Sequence, residues 1–191
     1  MADQMFFQYR GIPIQQNEHV VHPFRALMRE LRPARVIEIG TASGGLTTLL
    51  RDLMDECSLK ASTLYTFDHV PAADVSIAPD GVQFRYGDVF AANDVEYLIE
   101  TTDGPCVLLC DGGNKPREFQ TYAPHLRSGD HILAHDYAPD WDYFEREMQG
   151  KRWNWCEIQG HDIATSCQLY DLVPYEQDAF QRVAWCSRRK A

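Results

Sequence analysis

The amino-acid sequence predicts an α/β protein: a doubly wound, mostly parallel sheet with helices on both faces. Short apolar runs of four or five residues alternate with stretches of helical period, the pattern of a parallel sheet wrapped by helices. Each run is followed by turn chemistry, which separates it from the next helix. The composition, 45% hydrophobic and 24% charged over 191 residues, is that of an ordinary folded domain. This length suits one domain and is short for two. The expectation is therefore a single domain over 1–191, with 1–34 as an N-terminal cap segment and 35–191 as the core.

The elements follow in order. Pro23 is well placed as a first helical residue, and Phe24, Leu27, Met28 and Leu31 recur at i, i+3, i+4 and i+7. The first strand is RVIEI (35–39), followed by the apolar stripe Leu46, Leu49, Leu50, Leu53 and Met54. TLYTF (63–67) and VQFR (82–85) are the second and third strands. Asn93 and Glu96 have capping-box spacing ahead of Val95, Leu98 and Ile99. CVLLC (106–110) is the fourth strand, Phe119, Tyr122, Ala123 and Leu126 a further helical stripe, and HILA (131–134) the fifth strand. Trp141, Phe144 and Met148 suggest one more helix, ended by Gly150. Residues 154–159, 168–173 and 183–187 are further strand candidates whose order the pattern does not settle.

Charge and cysteine usage exclude several classes. Asp plus Glu number 28 against 18 Lys plus Arg, a formal net charge of -10. Nucleic-acid backbones are bound by cationic side chains that displace counterions, so no nucleic-acid partner is expected. The one basic cluster, Arg188, Arg189 and Lys190, reads as a solvated tail. No apolar run approaches the ~20 residues of a membrane helix, and Met1 to Arg10 lacks signal-peptide character. No membrane partner and a cytoplasmic location are the expectations. The six cysteines show neither CxxC pairs nor finger spacing, and read as buried free thiols.

In doubly wound sheets ligands bind beyond the carboxyl ends of the strands. After the first strand the chain reads Glu38-Ile39-Gly40-Thr41-Ala42-Ser43-Gly44-Gly45. Glycines let the backbone approach a ligand, and the following helix start offers free N–H groups. A phosphate loop would need GxxxxGK[ST], whose Lys is missing, and a dinucleotide loop would need GxGxxG, whose spacing is not met. The second strand ends in Asp68-His69, where a carboxylate can accept hydrogen bonds from both hydroxyls of a ribose, as also in nicotinamide-binding folds. The third leads into Gly87-Asp88-Val89. The fourth leads into Asp111-Gly112-Gly113-Asn114-Lys115 and the fifth into His135-Asp136. If those two strands are neighbours, Asp111, His135 and Asp136 can converge on one divalent cation.

The spacing Glu38-x-Gly40-x-x-x-Gly44 resembles the first motif of class I S-adenosylmethionine-dependent methyltransferases, whose glycine loop passes under the methionine part of the cofactor. The resemblance implies a seven-stranded Rossmann-like sheet. It also implies a cofactor site drawn from Glu38, Gly40, Thr41, Ser43, Gly44, Asp68, His69, Asp88, Val89 and Asp111, with Asp88 near the adenine amine and Val89 beside its ring. From about residue 11 to 138, through Gly11-Ile12-Pro13, Leu31-Arg32-Pro33, Val36 to Thr41 and Gly44-Gly45, the chain is similar to the cephalosporin hydroxylase and macrocin O-methyltransferase group. Members resemble catechol-type enzymes with metal-binding carboxylates after strands four and five, which implies a metal at Asp111, His135 and Asp136. His135 departs from the usual oxygen ligand, so magnesium gives ground to manganese or to iron- or zinc-like ions. The macrocin-type Asp two residues after the first ligand is Gly113 here. Lys115 resembles, with one residue of offset, the catechol-type lysine base, against a plain reading as a solvated lysine. His135, with an ordinary pKa near ~6.5, is the alternative base.

The expected activity is O-methylation of a small-molecule acceptor by S-adenosylmethionine, assisted by Mg or Mn. The alternatives are a nicotinamide-dependent oxidoreductase, or a non-catalytic cofactor-binding or assembly module. Acceptor specificity is expected from the N-terminal segment, from Tyr137 to Trp155 with its Trp141, Trp153 and Trp155, or from a second subunit of a homo-oligomer.

Overall fold

The computed structural model describes residues 3–69 and 81–191. A hairpin of β1 (Phe7–Tyr9) and β2 (Ile12–Ile14) and a 3-10 turn (Glu18–Val20) precede α1 (Val21–Leu31). The core then runs β3 (Arg35–Ile39), α2 (Gly45–Glu56), β4 (Thr63–Asp68), β5 (Val82–Tyr86), α3 (Asp94–Glu100), β6 (Cys106–Cys110), α4 (Lys115–Tyr122) and β7 (His131–Ala134). The remainder is β8 (Tyr137–Ala138), the short α5 (Trp141–Tyr143) continuing as a π-helical turn (Phe144–Met148), β9 (Ile158–Gln159), α6 (Gly160–Leu169), β10 (Leu172–Pro174), α7 (Gln177–Gln181) and β11 (Cys186–Lys190).

Seven strands form the main sheet in the order β10-β11-β7-β6-β3-β4-β5. The pairs from β7 through β6, β3 and β4 to β5 are parallel, while β11 is antiparallel to both β7 and β10. Chain order reverses beside β3, so the crevice beyond its carboxyl end is the topological switch point where this architecture binds ligands.

Both faces of the central strands β6 and β7 are covered, which explains why these strands read as apolar runs without polar alternation. Val36, Leu64, Val107, Leu109 and Leu133 meet α1, α2 and the Phe180–Trp185 segment on one face. Ile37, Ile39, Phe67, Leu108, Cys110 and Ile132 meet α3, α4 and α6 on the other. Helix α1 stops at Arg32, which is left-handed (φ 49), just ahead of Pro33.

Five strand cores match the sequence pattern, and several finer expectations need correction. The candidate at 154–159 is a strand only at 158–159, and 183–187 begins pairing only at Cys186. Gln168 and Leu169 end α6, so the strand there is Leu172–Pro174. Asn93 precedes α3 without a side-chain cap, so the capping-box spacing is not used. The basic tail is no tail: Arg188, Arg189 and Lys190 lie in β11, between β7 and β10, with Arg188 hydrogen-bonded to Gln177. Strand pairing satisfies their backbone, while the Arg188 side chain reaches Gln177 and that of Lys190 reaches Asp171. All six cysteines are free, but Cys156 and Cys167 are only partly buried. No helix of the described residues is long and apolar enough to cross a membrane.

Candidate functional site

A cavity of about 850 Å³ lies across the carboxyl ends of β3, β4, β5, β6 and β7. The loop after β3 forms its floor. Gly40 (φ +96) turns so tightly that an added Cβ would lie 2.2 Å from the Asp111 carbonyl oxygen. The backbones after β3 and β6 are thereby pressed together, and the Asp111 N–H donates to Ile39 O at 3.0 Å. Thr41, Ala42 and Ser43 line the cavity, and the Ala42 N–H donates to Asp68 Oδ2 at 2.8 Å, tying the loop to the end of β4. His69, Asp88 and Val89 extend the wall towards β5. Asp88 Oδ1 accepts the Phe90 N–H, and the Tyr122 hydroxyl donates to Val89 O.

Two residues expected at the cofactor stand off the described wall. Gly44 (φ 85) is the N-cap of α2, behind the lining loop. Glu38 points into the space under α2, where its carboxylate accepts from the hydroxyls of Thr47 and Thr66, and Thr66 contacts Thr41 at 2.6 Å. Period-two alternation puts Glu38 on the face opposite Ile37 and Ile39, so it supports the loop from below. Burial pushes its carboxyl up to about 8, the two threonine hydroxyls offsetting this in part. An unfolded glutamate ionises near 4.5, so between pH 4.5 and 8 the unfolded chain releases a proton that the folded chain keeps. Stability from this group therefore falls as pH rises through that window, by at most ~1.4 kcal/mol per pH unit. Urea unfolding should show Glu38→Gln gaining about 3 kcal/mol on the wild type between pH 5 and pH 8. A difference that stays constant with pH would contradict this assignment.

The turns after β6 and β7 meet as expected. Donor atoms of Asp111, His135 and Asp136 lie within 4.8 Å of one another. His135 Nδ1 is 3.0 Å from Asp111 Oδ1, and its buried Nε2 meets no partner among the described residues. Burial lowers the His135 pKa, but Asp136 and Asp111 outweigh it and leave it raised. Burial likewise lifts Asp136, and the charges of His135 and Lys115 bring it below its ordinary value.

Lys115 is not the solvated lysine the sequence allowed. It is 5% exposed, and its ammonium lies 2.8 Å from Asp136 Oδ2, 2.8 Å from Glu157 Oε2 and 3.0 Å from Gly112 O. Asn114 caps α4 and starts it at Lys115, which aims the side chain back into the cluster. Burial works against its charge, yet Asp136 and Asp111 hold its pKa above the usual lysine value. In this arrangement it is a fixed cation. A proton-removing role would require it first to give up Asp136 and Glu157.

Two participants escaped the sequence pattern. Gln16, 2% exposed, donates to Asp111 Oδ2 at 2.7 Å and lies 3.2 Å from His135 Nδ1, while its Oε1 accepts the Trp185 indole N–H. It arrives on the chain after β2, which crosses the start of α2 where Gly45 leaves room for the Pro13 carbonyl. Glu157 is brought to Lys115 because its own N–H donates to Asp136 O. Of the segment 137–155, only Trp153 and Trp155 line the cavity; Trp141 instead packs on Phe144.

The comparisons with known proteins bear on the fold. No protein-family model matches the chain, and no curated protein does. Among solved structures, CmcI with Mg and S-adenosylmethionine superposes with TM-score 0.69 at 16% identity, over 97% of this chain and 77% of that one. CmcI with S-adenosylhomocysteine gives 0.68 at 15%, over 97% and 82%. Human N-acetylserotonin methyltransferase in complex with S-adenosylmethionine gives 0.57 at 12%, over 90% and 51%. The chain thus has the Rossmann-like fold of S-adenosylmethionine-dependent methyltransferases. Within that class its fold is similar to CmcI, and also to an O-methyltransferase family protein from Burkholderia thailandensis, at TM-score 0.56 and 13% identity over 90% and 56%.

Proposed function

We propose that this chain is an S-adenosylmethionine-dependent O-methyltransferase acting on a small molecule. The observation that carries the reading is one continuous cavity at the switch point. It joins the Gly40 loop, Asp68 and Asp88 at one end to the Asp111, Lys115, His135 and Asp136 cluster at the other.

The residues suit the cofactor. The Thr41 to Ser43 backbone offers a close approach, and Asp68, Asp88 and Val89 line the same cavity, where Asp68 would accept from the ribose hydroxyls and Asp88 with Val89 would border the adenine. S-adenosylmethionine supplies a methyl group on a positively charged sulfur, which the acidic lining favours over an anionic cofactor. The loop and the cluster would hold cofactor and acceptor side by side in one cavity, and such positioning would lower the barrier by removing the entropy of encounter. With no cation bound, His135, whose buried Nε2 meets no partner among the described residues, would take the acceptor proton, since the Lys115 ammonium is shared by Asp136 and Glu157.

The donor set also fits a divalent cation. Asp111, His135 and Asp136 would hold it, and the mixed nitrogen and oxygen ligands favour manganese over magnesium. Such an ion would lower the pKa of the acceptor hydroxyl. Lys115 would then yield Asp136 and keep Glu157 and Gly112 O as partners.

Asp68→Ala should weaken S-adenosylhomocysteine binding by about tenfold or more, because it removes both a cofactor contact and the anchor of the Ala42 N–H. Calorimetric titration of both proteins checks this, and equal affinities would count against the proposed pose.

A further inference from the structure

We propose that the acceptor end of the cavity is built for a hydroxylated aromatic ring that carries no negative charge. This rests on the methyl-transfer reading and adds to it the class of acceptor. Past Lys115 the cavity opens between the N-terminal segment and the loop ahead of β9, and its wall there is aromatic. Phe6 and Trp155 meet edge to face with ring centroids 5.3 Å apart, and Trp153 lies 5.0 Å from Trp155 and 6.0 Å from Phe6. Trp153 is buried and fixed by its indole N–H on Asp136. Phe6 and Trp155 are 47% and 41% exposed although both line the cavity.

Large apolar surface kept in water beside a cavity is surface that a flat ligand can cover. Covering it is favourable in proportion to area, and stacked or edge-on ring contacts add to that gain. A polyol would instead shed water from its hydroxyls against ring faces that return no hydrogen bond.

Charge narrows the class further. Asp111, Asp136 and Glu157 face this end, and Lys115 is the sole lysine or arginine among the described lining residues. Asp136 and Glu157 already share its ammonium. In the metal-free chain a carboxylate on the acceptor would meet like charge and no uncommitted lysine or arginine, whereas an ammonium would find Glu157 and the ring faces.

The test uses chain saturated with S-adenosylhomocysteine in EDTA, titrated calorimetrically with tyramine, 4-ethylphenol, 4-hydroxyphenylacetate and inositol. Tyramine and 4-ethylphenol should bind at least about tenfold more tightly than either of the other two. Trp155→Ala should weaken those two by about tenfold while leaving S-adenosylhomocysteine affinity unchanged, and Trp155→Phe should restore most of the loss. If 4-hydroxyphenylacetate or inositol binds as tightly as tyramine, or if no phenol binds the saturated chain, the acceptor class is wrong while the methyl-transfer reading stands. Failure of S-adenosylhomocysteine to bind would bring down both.

Discussion

Replacing Gly40 by alanine should destabilise the chain by about 4 kcal/mol or more and abolish cofactor binding, the largest effect expected of any single methyl group here. Two costs coincide at this position. Its φ of +96 is a conformation that L side chains avoid, and the added Cβ would come 2.2 Å from Asp111 O and 2.6 Å from Asp111 C. Both clashing atoms are backbone, so no rotamer change relieves them. Relief requires separating the ends of β3 and β6, which breaks the Asp111 to Ile39 hydrogen bond and moves the cluster residue Asp111 itself. For a chain of this size the melting temperature should drop by about 10 °C. Gly113 provides the contrast, since an added Cβ there meets nothing within 4 Å. Gly113→Ala should change stability by no more than about 0.5 kcal/mol. Equal melting temperatures for the two variants would refute the close approach of the two turns.

Asp136→Ala should cost about 3 kcal/mol, because it removes one of the two carboxylates nearest the buried Lys115 ammonium and the acceptor of the buried Trp153 indole N–H. Asp136 lies 2.8 Å from the Lys115 ammonium and 3.6 Å from His135 Nδ1, and accepts the Trp153 indole N–H. It also adopts φ 56, a left-handed conformation that alanine tolerates less well than asparagine. Asp136→Asn should therefore lose roughly half as much as the alanine variant. Lys115→Met in the Asp136→Ala background should recover part of the loss, since the stranded ammonium is then gone. In a double-mutant cycle by chemical denaturation the coupling should exceed about 1 kcal/mol. Additive losses would mean that Lys115 is satisfied by Glu157 and Gly112 alone.

What the sequence disclosed and what it hid divide along a physical line. Strands buried on both faces must be apolar throughout, so RVIEI, CVLLC and HILA coincide with β3, β6 and β7 to the residue. The turns that follow such strands in a doubly wound sheet face one crevice, so Asp68, Asp88, Asp111, His135 and Asp136 could be singled out in advance. Position alone did not reveal which way a side chain goes. Glu38 belongs to the right motif yet faces α2, and Lys115 is locked in a carboxylate cluster whose third member, Glu157, lies 42 residues away. Gln16 was invisible for the same reason, reaching Asp111 over 95 residues and His135 over 119. Helix α6 buries only Ile163 and Ser166, too little to leave an apolar stripe. Arg188 to Lys190 look like a solvated tail because charge outweighs period in a three-residue run, although strand pairing needs only their backbone.

The central claim is that the crevice beside β3 holds S-adenosylmethionine. Calorimetric titration of the purified chain with S-adenosylhomocysteine, with NADH in parallel and with manganese or EDTA present, tests it most directly. The account predicts one S-adenosylhomocysteine per chain, competition by S-adenosylmethionine and no heat from NADH. Saturable NADH binding, or no S-adenosylhomocysteine binding under any of these conditions, would contradict it.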